Sequence, residues 1–136
     1  QKRRVAIAGI MAMQPEMLVL DEPAAGLDPA GRSEIFGGIR KYRDETGATV
    51  LIVSHSMEDM AEYCDEIIVM HRGKVMLTGP KDEIFADSER LIQAGLDIPQ
   101  ITRVMRLLAA QGLDVNAAAC TKEQALAEII KAFRHK

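Results

Sequence analysis

Two short apolar runs in this 136-residue chain end in side chains able to do chemistry. Met17-Leu18-Val19-Leu20 leads into Asp21-Glu22-Pro23, and Thr49-Val50-Leu51-Ile52-Val53 leads into Ser54-His55-Ser56. Adjacent carboxylates at a strand end suit phosphate chemistry, because one acid can hold a hydrated Mg²⁺ while its neighbour points elsewhere and polarises a water. Asp21 fits the first role and Glu22 the second. The same pair can also simply close a strand or begin a turn, and a lone histidine after a strand is often a hydrogen-bonded structural residue. In an open parallel sheet, however, the carboxyl ends of neighbouring strands form the rim where ligands bind, and His55 would share that rim with Asp21 and Glu22.

The elements that must position these groups alternate between helix and strand. Residues 2 to 13 carry a helical stripe at Val5, Ile7, Ala8, Ile10 and Met11, and Gln14-Pro15 ends it, since the residue before a proline disfavours helical angles. Residues 17 to 20 and 49 to 53 have the continuous, β-branched character of strands buried on both faces of a parallel sheet. Between them, Asp28 is placed to cap a helix and Pro29 to open it, because the first helical position needs no amide donor. That helix should run to about Thr46, with Ile35, Phe36, Ile39 and Tyr42 on one face and Gly47 as the stop. Gly37-Gly38 in its middle costs about 1 kcal/mol per glycine relative to alanine, which close packing would explain.

Ser56 can cap a helix from Met57 to about Cys64, and Glu66 to Met70 with Lys74 to Thr78 form a hairpin across His71-Arg72-Gly73. Alternation of this kind predicts an α/β fold. After Gly79-Pro80 the pattern becomes helical over Lys81 to Phe85, Ile98 to Gln111 and Thr121 to His135. Thr121 and Gln124 form a capping box at the start of the last helix. Ile101, Val104, Leu107 and Leu108 mark an apolar stripe, either core or partner-facing. Domain organisation is expected as residues 1-79 carrying the chemistry and residues 80-136 as a helical extension.

Composition excludes several classes. A hydrophobic content of 48% with 27% charge is that of a globular chain rather than a disordered one, and a net charge of -3 gives no basic surface for nucleic acid. Cys64 and Cys120 lack metal-ligand spacing and suggest no disulfide framework, so a reducing compartment is expected. The apolar runs fall far short of the ~20 residues of a membrane helix. Lys2, Arg3 and Arg4 are a solvated helix face or a phosphate or partner contact, and eight methionines suggest adaptable packing.

Taken together and in order, Gln1 followed by a helix, Leu18-Val19-Leu20-Asp21-Glu22-Pro23, Ala25-Gly26-Leu27-Asp28-Pro29 and Ile52-Val53-Ser54-His55 resemble an ATP-binding-cassette ATPase. The resemblance makes these the end of the signature motif, the Walker B strand with its catalytic glutamate, the D-loop and the switch histidine. It implies a partial P-loop-type parallel sheet with helices, a β-hairpin and a small α-helical C-terminal extension. It further implies that Asp21 binds Mg²⁺ through water, that Glu22 orients or deprotonates the attacking water, and that His55 contacts the γ-phosphate of ATP. Asp28 would cross a dimer interface, and Gln1 would face the partner subunit's nucleotide. Gly79-Pro80 with Glu83-Ile84-Phe85, Ala94-Gly95-Leu96-Asp97-Ile98-Pro99, Thr102-Arg103, Gly112-Leu113 and Thr121 to Ala127 is similar to the C-terminal extension of energy-coupling-factor ATPases. Those import vitamins, cobalt or nickel.

The implied partners are a second ATPase subunit, identical or not, and transmembrane coupling and substrate-binding subunits, with the ATPase on the cytoplasmic face of the membrane. Three departures qualify this. No G-x-x-x-x-G-K-[ST] occurs, and the Leu-Ser-Gly-Gly expected before Gln1 is missing, so the chain looks cut from a larger protein and is expected to be inactive alone. Ala24 stands where the family often has Ser or Thr. The competing expectations are a soluble, non-transport ATP-binding-cassette ATPase and a module serving only oligomerisation.

Overall fold

The computed structural model describes residues 2–134, which divide into two compact units at His55/Ser56. In the first unit, helix α1 (Lys2–Met11) is followed by strand β1 (Met17–Asp21), helix α2 (Pro29–Thr46) and strand β2 (Thr49–Val53). β1 and β2 are parallel and in register from Met17 opposite Thr49 to Asp21 opposite Val53, so both strands finish at the same level. The ladder extends one bond further at each end: Thr49 N–H donates to the Glu16 carbonyl at 2.9 Å and Glu22 N–H to the Val53 carbonyl at 2.8 Å.

α2 forms where expected and for the expected reasons. The Asp28 carboxylate accepts from the Gly31 amide at 3.0 Å, capping one of the free donors of the first turn. Gly47 ends the helix at φ 70°, a left-handed angle that glycine adopts at little cost. Ile35, Phe36, Ile39 and Tyr42 are buried along one face, and the Tyr42 hydroxyl donates to the Pro15 carbonyl at 2.9 Å, fastening α2 to the turn before β1. Arg4 of α1 pairs with Glu34 of α2 at 2.7 Å.

Two expectations are corrected here. The strands are not buried on both faces: Leu18 and Leu20 are buried, whereas Met17, Val19, Leu51 and Val53 are about half exposed. Successive side chains of a strand point to opposite sides, so one side of this two-stranded sheet is covered and the other is bare. Nor does close packing account for Gly37-Gly38, since a Cβ at either position would meet open space. The crowded glycine is Gly31, where a Cβ would lie 2.7 Å from the Asp28 carboxylate and 2.9 Å from the Arg4 guanidinium.

The second unit begins with helix α3 (Met57–Tyr63), whose Asp59 amide donates to the Ser56 hydroxyl at 3.2 Å. Strands β3 (Glu66–His71) and β4 (Lys74–Pro80) form an antiparallel hairpin. Its turn is Arg72-Gly73, both at positive φ, one residue shorter than the sequence suggests and of the type that matches strand twist.

Helices α4 (Lys81–Ala86), α5 (Ser88–Gln93), α6 (Gln100–Ala110) and α7 (Lys122–Arg134) follow. α5 has no counterpart in the sequence expectations: it is a helix of 6 residues without a side-chain cap, too short for a periodic signal. The capping box of α7 is present, with Gln124 N–H donating to Thr121 Oγ1 at 3.3 Å and Thr121 N–H to Gln124 Oε1 at 3.2 Å. Met105, Ala119 and Ala125 form a core cluster lined by Ile101, Leu108, Val115 and Ile129. The stripe expected on α6 is therefore split: Ile101 and Leu108 pack on the core beside the enclosed Thr102 and Met105, and Val104 and Leu107 face outward. Thr102 is tolerated there because its hydroxyl donates to the Ala119 carbonyl at 3.0 Å.

Candidate nucleotide-hydrolysis site

Because β1 and β2 end in register, the residues that follow them meet. His55 Nδ1 lies 2.6 Å from Glu22 Oε1, the His55 amide donates to the same oxygen at 2.9 Å, and the Ser54 hydroxyl donates to Glu22 Oε2 at 3.2 Å. An ionised carboxylate can only accept, so in this contact Nδ1 carries the proton and Nε2 is the ring nitrogen left for another partner. His55 is 88% exposed and Glu22 30% exposed, so the pair is open to a ligand.

The Glu22 backbone is itself unusual. It stands at φ 47°, in the left-handed region that side-chain-bearing residues seldom adopt. Its amide is held by Val53, and its carbonyl accepts from Ala25 N–H at 3.2 Å. The chain thus turns sharply as it leaves β1, and that turn directs the Glu22 carboxylate across the end of β2. Desolvation raises the Glu22 carboxyl, but hydrogen bonds from the His55 ring, the His55 amide and Ser54, together with the charge interaction with His55, outweigh it and hold the group below its ordinary value. Glu22 is consequently ionised at neutral pH.

Asp21, the last residue of β1, is exposed on the same rim. No group of three or more His, Cys, Asp or Glu side chains is arranged to hold a metal among the described residues. An exposed single carboxylate does suit Mg²⁺, which keeps several waters and binds through one or two carboxylates plus substrate phosphates. Asp28 lies at the N-terminus of α2, engaged with the Gly31 amide. Gln1 lies outside the described residues. Of the expected site residues, Glu22 and His55 are therefore in direct contact, and Asp21 immediately precedes Glu22.

Sequence reasoning gave no separate role to Ser54 or to the Arg4–Glu34 pair. A hydroxyl beside a strand-end histidine was a visible signal for the former; nothing in the spacing of Arg4 announced the latter.

A parallel strand pair ending in an Asp-Glu and a histidine, with a capped helix between the strands, is the arrangement that the resemblance to ATP-binding-cassette ATPases implies, and the comparison with solved structures agrees. A CbiO1 structure from Clostridium perfringens, described as part of the ABC transporter complex CbiONQ, matches with a TM-score of 0.58 and 43% identity over 75% of this chain and 41% of that one.

Sequence relatives are more specific, and along its full length the chain is homologous to energy-coupling-factor transporter ATP-binding proteins. EcfA2 of Clostridium tetani is 48% identical over 136 residues, 100% of this chain and 47% of the relative. EcfA2 of Caldanaerobacter subterraneus is 48% identical over 134 residues, and that of Clostridium perfringens 45% over 135, again across 47% of each relative. The chain thus spans about half the length of the curated relatives it matches. No protein-family model matches it. The relatives give no support to the soluble, non-transport reading.

Proposed function

We propose that this chain belongs to the ATP-hydrolysing subunit of an energy-coupling-factor importer of a metal ion or vitamin, and that Glu22, Asp21 and His55 form its hydrolytic rim. The observation that carries the proposal is the 2.6 Å contact between Glu22 and His55 across two strand ends in register. Homology to ATP-binding subunits supplies the nucleotide and the transporter. In the full-length protein the subunit would pair with a second ATPase and dock on transmembrane partners from the cytoplasmic side. No helix among the described residues is long and apolar enough to cross a membrane. Residues 1-79 would carry the chemistry and residues 80-136 would contribute to dimer contact.

Phosphoryl transfer needs an aligned water and positioned charge more than covalent help. Glu22, ionised and fixed at its main chain, would accept the hydrogen bond of the attacking water and orient it. The His55 ring would turn its N–H from Glu22 to a γ-phosphate oxygen, and Asp21 would hold Mg²⁺ through water, the charge of the ion offsetting that of the phosphates. Asp28 reaches across to the facing subunit, and Gln1 together with the start of α1 faces the partner's nucleotide, where a helix N-terminus favours anionic oxygen. The chain contains no phosphate-cradling G-x-x-x-x-G-K-[ST], so by itself it binds Mg-ATP weakly and does not turn it over.

Hydrolysis and nucleotide binding by full-length wild type, by full-length Glu22→Gln and by residues 1–136 alone test this reading. Glu22→Gln should lose turnover while keeping Mg-ATP binding, and residues 1–136 should show neither. Undiminished turnover of Glu22→Gln would refute the role of Glu22, and tight Mg-ATP binding by residues 1–136 would refute the division of labour.

A further inference from the structure

We propose that Ser54 is a positioning residue for Glu22, keeping the carboxylate in place when the His55 ring leaves it for phosphate. This rests on the ATPase reading above. The Glu22 backbone is fixed by its bonds with Val53 and Ala25, so the freedom that remains lies in the side chain, whose terminal torsion is intrinsically soft. In the structure three donors restrain it. Two, the His55 ring and the His55 amide, converge on Oε1, and the Ser54 hydroxyl is on Oε2.

The His55 ring cannot donate to Glu22 through Nδ1 in this pose and also move freely to a phosphate. When the ring turns away, two neutral donors remain, one on each carboxylate oxygen: the His55 amide at 2.9 Å and the Ser54 hydroxyl at 3.2 Å. Without Ser54 a single donor on Oε1 would be left, and the carboxylate could rotate about it. A base displaced by about 1 Å costs up to roughly a hundredfold in rate, whereas ground-state nucleotide binding does not depend on it. Ser54 is partly buried and its hydroxyl contacts Glu22, which is the contact through which it would act on the reaction.

The test uses the full-length ATPase in its membrane complex, with Ser54→Ala, Ser54→Thr and Glu22→Gln measured side by side. Ser54→Ala should lower kcat by about tenfold, with KM for Mg-ATP and the Kd of a non-hydrolysable ATP analogue within about twofold of wild type. Ser54→Thr, which keeps the hydroxyl, should restore kcat to within about twofold. In the purified ATPase, the ¹³C resonance of the Glu22 side-chain carboxyl should shift or broaden in Ser54→Ala and not in Ser54→Thr. Should Ser54→Ala fail to fold, Ser54→Thr and Ser54→Val, matched in shape and differing in the hydroxyl, make the same comparison. Unchanged kcat in Ser54→Ala, an unmoved Glu22 resonance, or affinity lost in step with kcat overturns the role of Ser54. If Glu22→Gln still loses turnover in that case, the ATPase reading stands; if Glu22→Gln retains turnover, both fall.

Discussion

Glu22 joins a reactive side chain to a backbone angle that suits glycine, and the two can be separated by comparing Glu22→Gly with Glu22→Ala. Both substitutions remove the carboxylate and its bonds to Ser54 and His55, so those losses cancel in the comparison. What differs is the cost of φ 47°. The left-handed region costs a side-chain-bearing residue about 1–2 kcal/mol, while glycine gives back about 0.5–1 kcal/mol through the greater freedom of its unfolded chain. Glu22→Gly should therefore be the more stable variant by about 1 kcal/mol. With a urea slope of about 2 kcal/mol/M, its unfolding midpoint should lie higher by about 0.5 M, at equal slope. Equilibrium urea unfolding of the two variants, followed by circular dichroism, reads this directly. Amide exchange at Leu20 and Ile52 assigns the difference to the unit that contains the site. Equal midpoints, or a higher one for Glu22→Ala, would refute the idea that backbone strain is stored at this residue.

Asp28→Ala should cost about 1 kcal/mol by uncapping α2, whereas Asp28→Ser should cost only a few tenths, because serine also accepts from the Gly31 amide. Equal losses in thermal unfolding would show that the cap is not what Asp28 supplies. Met105→Ala should cost about 2–5 kcal/mol and Leu107→Ala less than about 0.5, since the first side chain is wholly enclosed and the second is largely exposed; comparable costs by chemical denaturation would contradict the orientation of α6. Burial, followed by the hydrogen bond and charge of Asp82, pushes the Cys120 thiol up to about 11, so at pH 8 only about one molecule in a thousand carries the thiolate. Iodoacetamide should leave Cys120 unmodified in the native protein and label it after unfolding, as peptide mass spectrometry would show; rapid native labelling at pH 8 would contradict this environment.

Elements governed by local chemistry were legible from residue types. α2 is bounded by an aspartate cap, a first-position proline and a C-terminal glycine, and it spans Pro29–Thr46 as those signals imply. The capping box of α7 and the parallel pairing of β1 with β2 are of the same kind. Burial was less legible, because it depends on what lies opposite. The apolar character of β1 and β2 suits a sheet covered on two sides, yet Val19 is 56% exposed. The α6 stripe was only half legible: Ile101 and Leu108 pack on the core, Val104 and Leu107 do not, and Thr102, polar by type, becomes an interior residue because Ala119 offers it a carbonyl. Order of motifs pointed to Asp21, Glu22 and His55; the contribution of Ser54 needed the register of two strands and the direction of one hydroxyl.

The rim also divides its tasks between main chain and side chain. Backbone bonds place it: the ladder runs past Asp21 to the Glu22 amide, and the next turn closes through Ala25. The groups assigned chemistry, by contrast, remain open, with Asp21 exposed, His55 88% exposed and the imidazole held by Glu22. A rigid frame with an exposed imidazole lets the ring exchange one anionic partner for another at little cost, because each is a charge-assisted acceptor for a ring nitrogen. The frame would fail if the main chain moved with the side chain. Because Glu22 is held at its amide and carbonyl independently of the ring, rotation of His55 leaves the main chain of Glu22 in place, and the Ser54 hydroxyl and His55 amide still hold its carboxylate.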